Sequence, residues 1–155
     1  MTRKTIVTIL FTLALCLAQA RAAERGPSTR PSSRTFQFEY TIDTSETPEL
    51  KEWAETLRPE IDKWYPIFVE LLASDGFSAP RQFSITFKNM QGVAYCSGTR
   101  IVGSAAWFKA HPDDRGAIIH ESIHVIQQYR GRGNPGGLVE GLTDYLRWFK
   151  YEPVN

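Results

Sequence analysis

Apolar positions along the chain follow two rhythms, separated by turn-forming residues. Phe36, Phe38, Tyr40 and Ile42 alternate with polar neighbours from Thr35 to Asp43, the pattern of a half-buried strand. Leu50, Trp53, Leu57, Ile61, Trp64, Phe68 and Leu71 then recur at helical spacing, with Thr47 as N-cap and Pro48 in the first turn. Pro59 and Pro66 interrupt that stretch and predict two helices or a kinked one, ended by Asp75-Gly76. Phe83, Ile85 and Phe87 mark a second strand and Arg100 to Phe108 a third, with Asn89 to Gly98 as a turn-rich connection. Pro112-Asp113-Asp114 opens the next helix, with Asp113 as its cap, and that helix is predicted to end near Gly131. Gly131 to Gly137 reads as a loop, and Leu138, Leu142, Tyr145, Leu146 and Phe149 as a final amphipathic helix. Together these elements predict one α+β domain, a small mixed β-sheet with packed helices.

The N-terminus obeys a different rule. Arg3 and Lys4 precede an apolar run, Ile6 to Ala18, that is short for a bilayer span of about 20 residues. Ala18-Gln19-Ala20 and Ala20-Arg21-Ala22 then offer the small-x-small pattern read by a signal peptidase. Residues 1–22 are therefore expected to be a signal peptide. Residues 23–35, rich in Pro, Ser and Arg, form a flexible leader, and residues 36–155 form the domain. A secreted, periplasmic or extracellular protein is expected, with no stable membrane insertion after cleavage.

Cleavage changes the charge balance. The full chain has 18 basic and 17 acidic residues, and loss of Arg3, Lys4 and Arg21 leaves 15 basic against 17 acidic. A near-neutral to slightly acidic domain carries no electrostatic footprint for nucleic acid, so no nucleic-acid partner is expected. Cleavage also removes Cys16, leaving Cys96 without a partner for an internal disulfide. The core or a metal must hold the domain.

The chemistry is concentrated in His120-Glu121-Ser122-Ile123-His124. Residues i and i+4 of a helix sit about 40° apart around its axis, so both imidazoles can reach one Zn²⁺. Glu121, rotated by about 100° from His120, flanks the ion without ligating it. Ile118, Ile119, Ile123, Val125 and Ile126 make the helix apolar on most sides and hence buried. Burying two histidines and a glutamate without partners would cost several kcal/mol, a cost that a metal and its surrounding hydrogen bonds remove. A third ligand is needed, and Glu140 and Asp144 again stand at i and i+4. The run Glu140-Gly141-Leu142-Thr143-Asp144-Tyr145 resembles zinc proteases with a glutamate ligand, in which an acid four residues later accepts the N–H of a ligating histidine. On that likeness Glu140 goes to zinc and Asp144 to a histidine, in preference to the reverse, with Gly141 letting the two helices approach closely. Zinc acidifies water, and Glu121 as general base takes the proton and returns it to the leaving amine. Tyr95, His111, Tyr145 and Tyr151 are candidate oxyanion donors, none of them singled out.

From about Phe83 onward the chain resembles the peptidase family of plants and bacteria that includes the plant basic secretory proteins. The matching stretches are Gly92 to Tyr95, Ile101 to Ser104, HESIHVIQQ from His120, Gly133 to Gly137, and LVEGLTDYLRW from Leu138. The resemblance implies a zincin-like metallopeptidase fold with an H-E-x-x-H active-site helix, secretion, protein or peptide substrates, and zinc on His120, His124 and Glu140 with Glu121 as base. Where that family commonly has Thr before the second histidine and Trp two residues after it, this chain has Ile123 and Ile126, which points to a different cleft lining. Relatives continue past Tyr151 to Asn155 with a helical, tryptophan-bearing segment. That predicts either a minimal domain or one truncated at the C-terminus and lacking a cleft wall.

The remaining features read more plainly. The Arg100 to Phe108 strand is either a cleft-edge strand for extended substrate or an ordinary sheet strand. The four tryptophans and Cys96 read as packing residues. The rival to a peptidase is a catalytically weak, zinc-stabilised binding or defence module; Glu121 favours the enzyme, because a structural zinc needs no base.

Overall fold

The computed structural model describes residues 36–129 and 133–154; the expected signal peptide, the leader and the Gly131 helix end lie outside them. Strands β1 (Glu39–Asp43), β2 (Gln82–Lys88), β3 (Ala94–Ser97) and β4 (Arg100–Ser104) form a sheet in the order β1-β2-β4-β3. β1 and β4 run parallel to β2, whereas β3 runs antiparallel to β4 and leaves an edge open. Alternation decides the faces: Phe83, Ile85, Phe87 and Ile101 are buried, while Ser84, Thr86 and Arg100 between them are not.

Five helices are described: α1 (Lys51–Glu55), α2 (Arg58–Leu71), α3 (Ala105–Ala110), α4 (Gly116–Gln127) and α5 (Gly136–Leu146). The proline-bearing stretch is two helices, broken at Thr56 and Leu57, with Pro59 in the first turn of α2 and Pro66 tolerated inside it. Leu50, Ala54, Leu57, Ile61, Trp64, Tyr65 and Phe68 form its buried stripe, while Leu71 is half exposed. α4 packs on β3, β4 and α2, with Ile118, Ile119, Ile123, Val125 and Ile126 all buried as their spacing implies. The result is a mixed α+β domain with the apolar core between sheet and helices.

Several elements depart from expectation. The strand from Arg100 stops at Ser104, whose Oγ accepts the Trp107 backbone N–H (3.4 Å) and so caps α3 instead of extending the strand to Phe108. The Asn89–Gly98 connection contains the edge strand β3, so β3 and not the Arg100 strand borders solvent. Asp113 caps nothing: α4 starts at Gly116 without a side-chain cap, and the neighbouring Asp114 is drawn to Trp107 Nε1 (2.9 Å) and Arg147 Nη2 (2.6 Å). α4 ends at Gln127, where Gln128 takes the left-handed conformation (φ 44°) and its side chain donates to Val125 O and Gly98 O. In α5 the face with Thr143 and Leu146 is buried, while Leu138 and Tyr145 are exposed, as is Phe149 beyond its end. Gly141 is exposed too, and a Cβ there would meet nothing, so it is not what brings the helices together.

Two other glycines mark close approaches. At Gly116 a Cβ would collide with the Glu152 carboxylate and stand 2.8 Å from Arg147 Nε. At Gly103 it would stand 2.7 Å from the Phe87 ring and 3.0 Å from the Phe108 ring, both fully buried. Gly103→Ala is therefore expected to destabilise the protein by about 1–3 kcal/mol through overpacking, seen as a lower midpoint in urea or thermal unfolding.

Candidate metal centre

α4 projects His120 and His124 side by side, and α5 brings Glu140 to both. His120 Nε2 and His124 Nε2 stand 3.2 Å apart, and Glu140 Oε2 is 3.3 Å from each. Among the described residues these three form the one cluster of donors suited to a metal ion.

The other ring nitrogens decide the chemistry. His120 Nδ1 meets Asp144 Oδ1 at 3.1 Å, and His124 Nδ1 meets Gln127 Oε1 at 2.7 Å. Gln127 Nε2 donates to Val139 O (3.2 Å), which turns the amide oxygen toward His124. Both imidazoles are thus held with the proton on Nδ1 and a lone pair on Nε2. Burial and the neighbouring His124 hold His120 below the ordinary histidine pKa, in keeping with a neutral ring. Two lone pairs and a carboxylate then face one another across 3.2–3.3 Å with no proton between them. A cation in their midst removes that repulsion. Donors on one tetrahedral zinc at about 2.0–2.1 Å would stand about 3.3 Å apart, so the residues present fit such an ion.

Glu121 is buried beside this triangle and receives the backbone N–H of Cys96 from β3. Burial, with the Glu140 charge adding, pushes its carboxyl up to about 7 against the opposing pull of His124 and Cys96 N–H. Two cavities share Glu121 as a wall. One of about 410 Å³ lies on the His124 side, with Tyr95, Tyr129 and Val139. The other, of about 600 Å³, lies on the His120 side, with Trp107, Asp144 and Trp148.

The structure thus brings together His120, Glu121, His124, Glu140 and Asp144. Of the oxyanion-donor candidates, Tyr95 and His111 line opposite cavities. Tyr151 is buried on Glu60, and Tyr145 stacks on Phe149 (5.5 Å). Ile123 and Ile126 are core residues and line neither cavity beside Glu121, so those family departures change packing rather than cleft. Burial pushes the Cys96 thiol up to about 12 and its Sγ lies 3.4 Å from Gly98 O, consistent with packing. Gln127 escaped sequence reasoning; its one signal was the i+3 spacing from His124.

A family model described as "Peptidase of plants and bacteria" matches residues 31–151. This chain belongs to that family. The match takes in β1, α1 and α2 as well as the stretch from Phe83 that carries the metal residues. No curated protein and no solved structure matches the chain. Members of a peptidase family are hydrolases acting on protein or peptide.

A divalent metal titrated into the purified chain is expected to bind at one per chain. Gln127→Ala and Asp144→Ala should each weaken that binding by about 10–100-fold, measured by competition with a chromogenic chelator.

Proposed function

We propose that this chain is a secreted zinc metallopeptidase of zincin-like build, with residues 1–22 as signal peptide, 23–35 as leader and 36–155 as catalytic domain. What carries the reading is the convergence of three acceptors, His120 Nε2, His124 Nε2 and Glu140 Oε2, beside a buried glutamate where two cavities meet. Family membership supplies the reaction class, peptide-bond hydrolysis.

In this reading His120, His124 and Glu140 hold the ion, while Asp144 and Gln127 fix the two imidazoles in the ligating tautomer. Zinc supplies Lewis acidity toward a carbonyl and acidifies water near neutral pH. Glu121 carries the proton: it accepts one from the attacking water and delivers it to the leaving amine. The edge strand gives the substrate a track. Ser104 N donates to Val93 O (2.8 Å), a pairing that by alternation leaves the backbone groups of Ala94 and Cys96 on the free edge of β3. An extended peptide adding there would pass beside Glu121, toward which Cys96 N–H already points.

Glu121→Gln is expected to retain the metal and lower kcat on a peptide substrate by about 10²–10⁴-fold. The check is metal content and turnover measured on the same preparation; undiminished turnover in a metal-loaded variant would remove Glu121 from the mechanism.

A further inference from the structure

The two cavities beside Glu121 differ in their walls, and that asymmetry bears on which peptides are cut. On the His124 side the walls are Tyr95, Gln127, Tyr129 and Val139, with no indole. On the His120 side two tryptophans, Trp107 and Trp148, border a space of about 600 Å³, within the range of about 300–1,000 Å³ usual for ligand sites.

The core accounts for part of one ring and none of the other: Trp107 packs one edge against it, as Trp53 does, while Trp148 lies outside it. Trp53 stacks on Phe108 (4.7 Å) and Trp64 on Phe68 (5.4 Å), which is how this fold uses a tryptophan for packing. Trp148, by contrast, is 53% exposed, and Trp107 is half-buried. Each has a charged or polar group on one face: His111 stacks on Trp107 at 4.0 Å, and the Arg147 guanidinium lies 4.4 Å from the Trp148 centroid.

Apart from Glu121, which takes the Cys96 backbone N–H, the acids and the arginine around the cavity are already engaged with other side chains. Asp114 takes Arg147 Nη2 and Trp107 Nε1, Arg147 Nε meets Glu152 Oε1 at 3.1 Å, and Asp144 meets His120 Nδ1. A charged substrate side chain would have to compete for groups that hold each other. An aromatic one needs only ring faces and the apolar surface of Val93 and Ala117.

We propose that the His120-side cavity is the pocket that selects substrates, taking one large aromatic side chain at a residue next to the cleaved bond, with Trp107 and Trp148 as its walls. This rests on the peptidase reading for the position of the bond at Glu121, but the pocket can be probed without catalysis.

The test is cleavage of an unbiased peptide library by the full chain, read by mass spectrometry against Glu121→Gln as background, with Trp148→Ala alongside. Trp148 is half exposed, so circular dichroism of that variant should match the parent. Phe, Tyr and Trp should be enriched at one position flanking the bond. The ratio of cleavage of aromatic over alanine peptides should fall about tenfold or more in Trp148→Ala. Cleavage without aromatic enrichment, or enrichment unchanged in Trp148→Ala, overturns the proposal and leaves the peptidase reading standing. If no Glu121-dependent cleavage occurs, N-acetyl-phenylalaninamide is titrated into the full chain and indole N–H resonances are followed by NMR. Saturable shifts of Trp107 and Trp148 then uphold the pocket while the peptidase reading falls; unmoved indoles overturn the pocket as well.

Discussion

The structure turns on three acceptor atoms that face one another at 3.2–3.3 Å: two imidazole lone pairs and a carboxylate oxygen. Acceptors brought this close repel one another, with the two imidazoles partly buried and the Glu140 carboxylate exposed at the rim. Hydrogen bonds from the two Nδ1–H groups to Asp144 and Gln127 prevent the histidines from escaping by moving the proton to Nε2. The fold therefore builds an electrostatic deficit that a cation would fill. α4, apolar on nearly every side and packed on the sheet and α2, is the platform that makes the arrangement rigid.

The surroundings serve that platform. Arg147 joins Asp114, just before α4, to Glu152, just after the C-terminal turn, and Gly116 is the residue that lets this pair lie against the start of α4. Tyr151 packs edge-on to Trp64 at 5.7 Å, so the segment after α5 is anchored on α2. α5, which supplies Glu140 and Asp144, is thus held just past its C-terminal end, while Thr143 and Leu146 bury its inner face. Its outer face, with Leu138 and Tyr145, stays exposed.

Much of the site was legible in the sequence because it depends on local spacing. His120, Glu121 and His124 lie on one helix, and Glu140 and Asp144 on another, so i and i+4 geometry alone pairs them. What was not legible depends on distant partners. β3 has no run of β-branched residues and forms because β4 pairs with it. Asp114 is pulled from any capping role by Trp107 and by Arg147, a residue 33 positions away. Ser104 carried a local signal, a capping residue before Ala105 and Ala106, that the strand pattern masked. The exposed side of α5 shows the same limit: amphipathic spacing gives a helix, but which stripe is buried was decided by where α4 needed its carboxylates.

The most direct measurement is anomalous diffraction at the zinc edge from crystals grown with the metal. One peak per chain is expected, about 2.0–2.1 Å from His120 Nε2, His124 Nε2 and a Glu140 carboxylate oxygen, with both Nδ1 contacts intact. A peak ligated through Nδ1 or by Asp144 in place of Glu140, or no peak among these residues, would contradict that ligation.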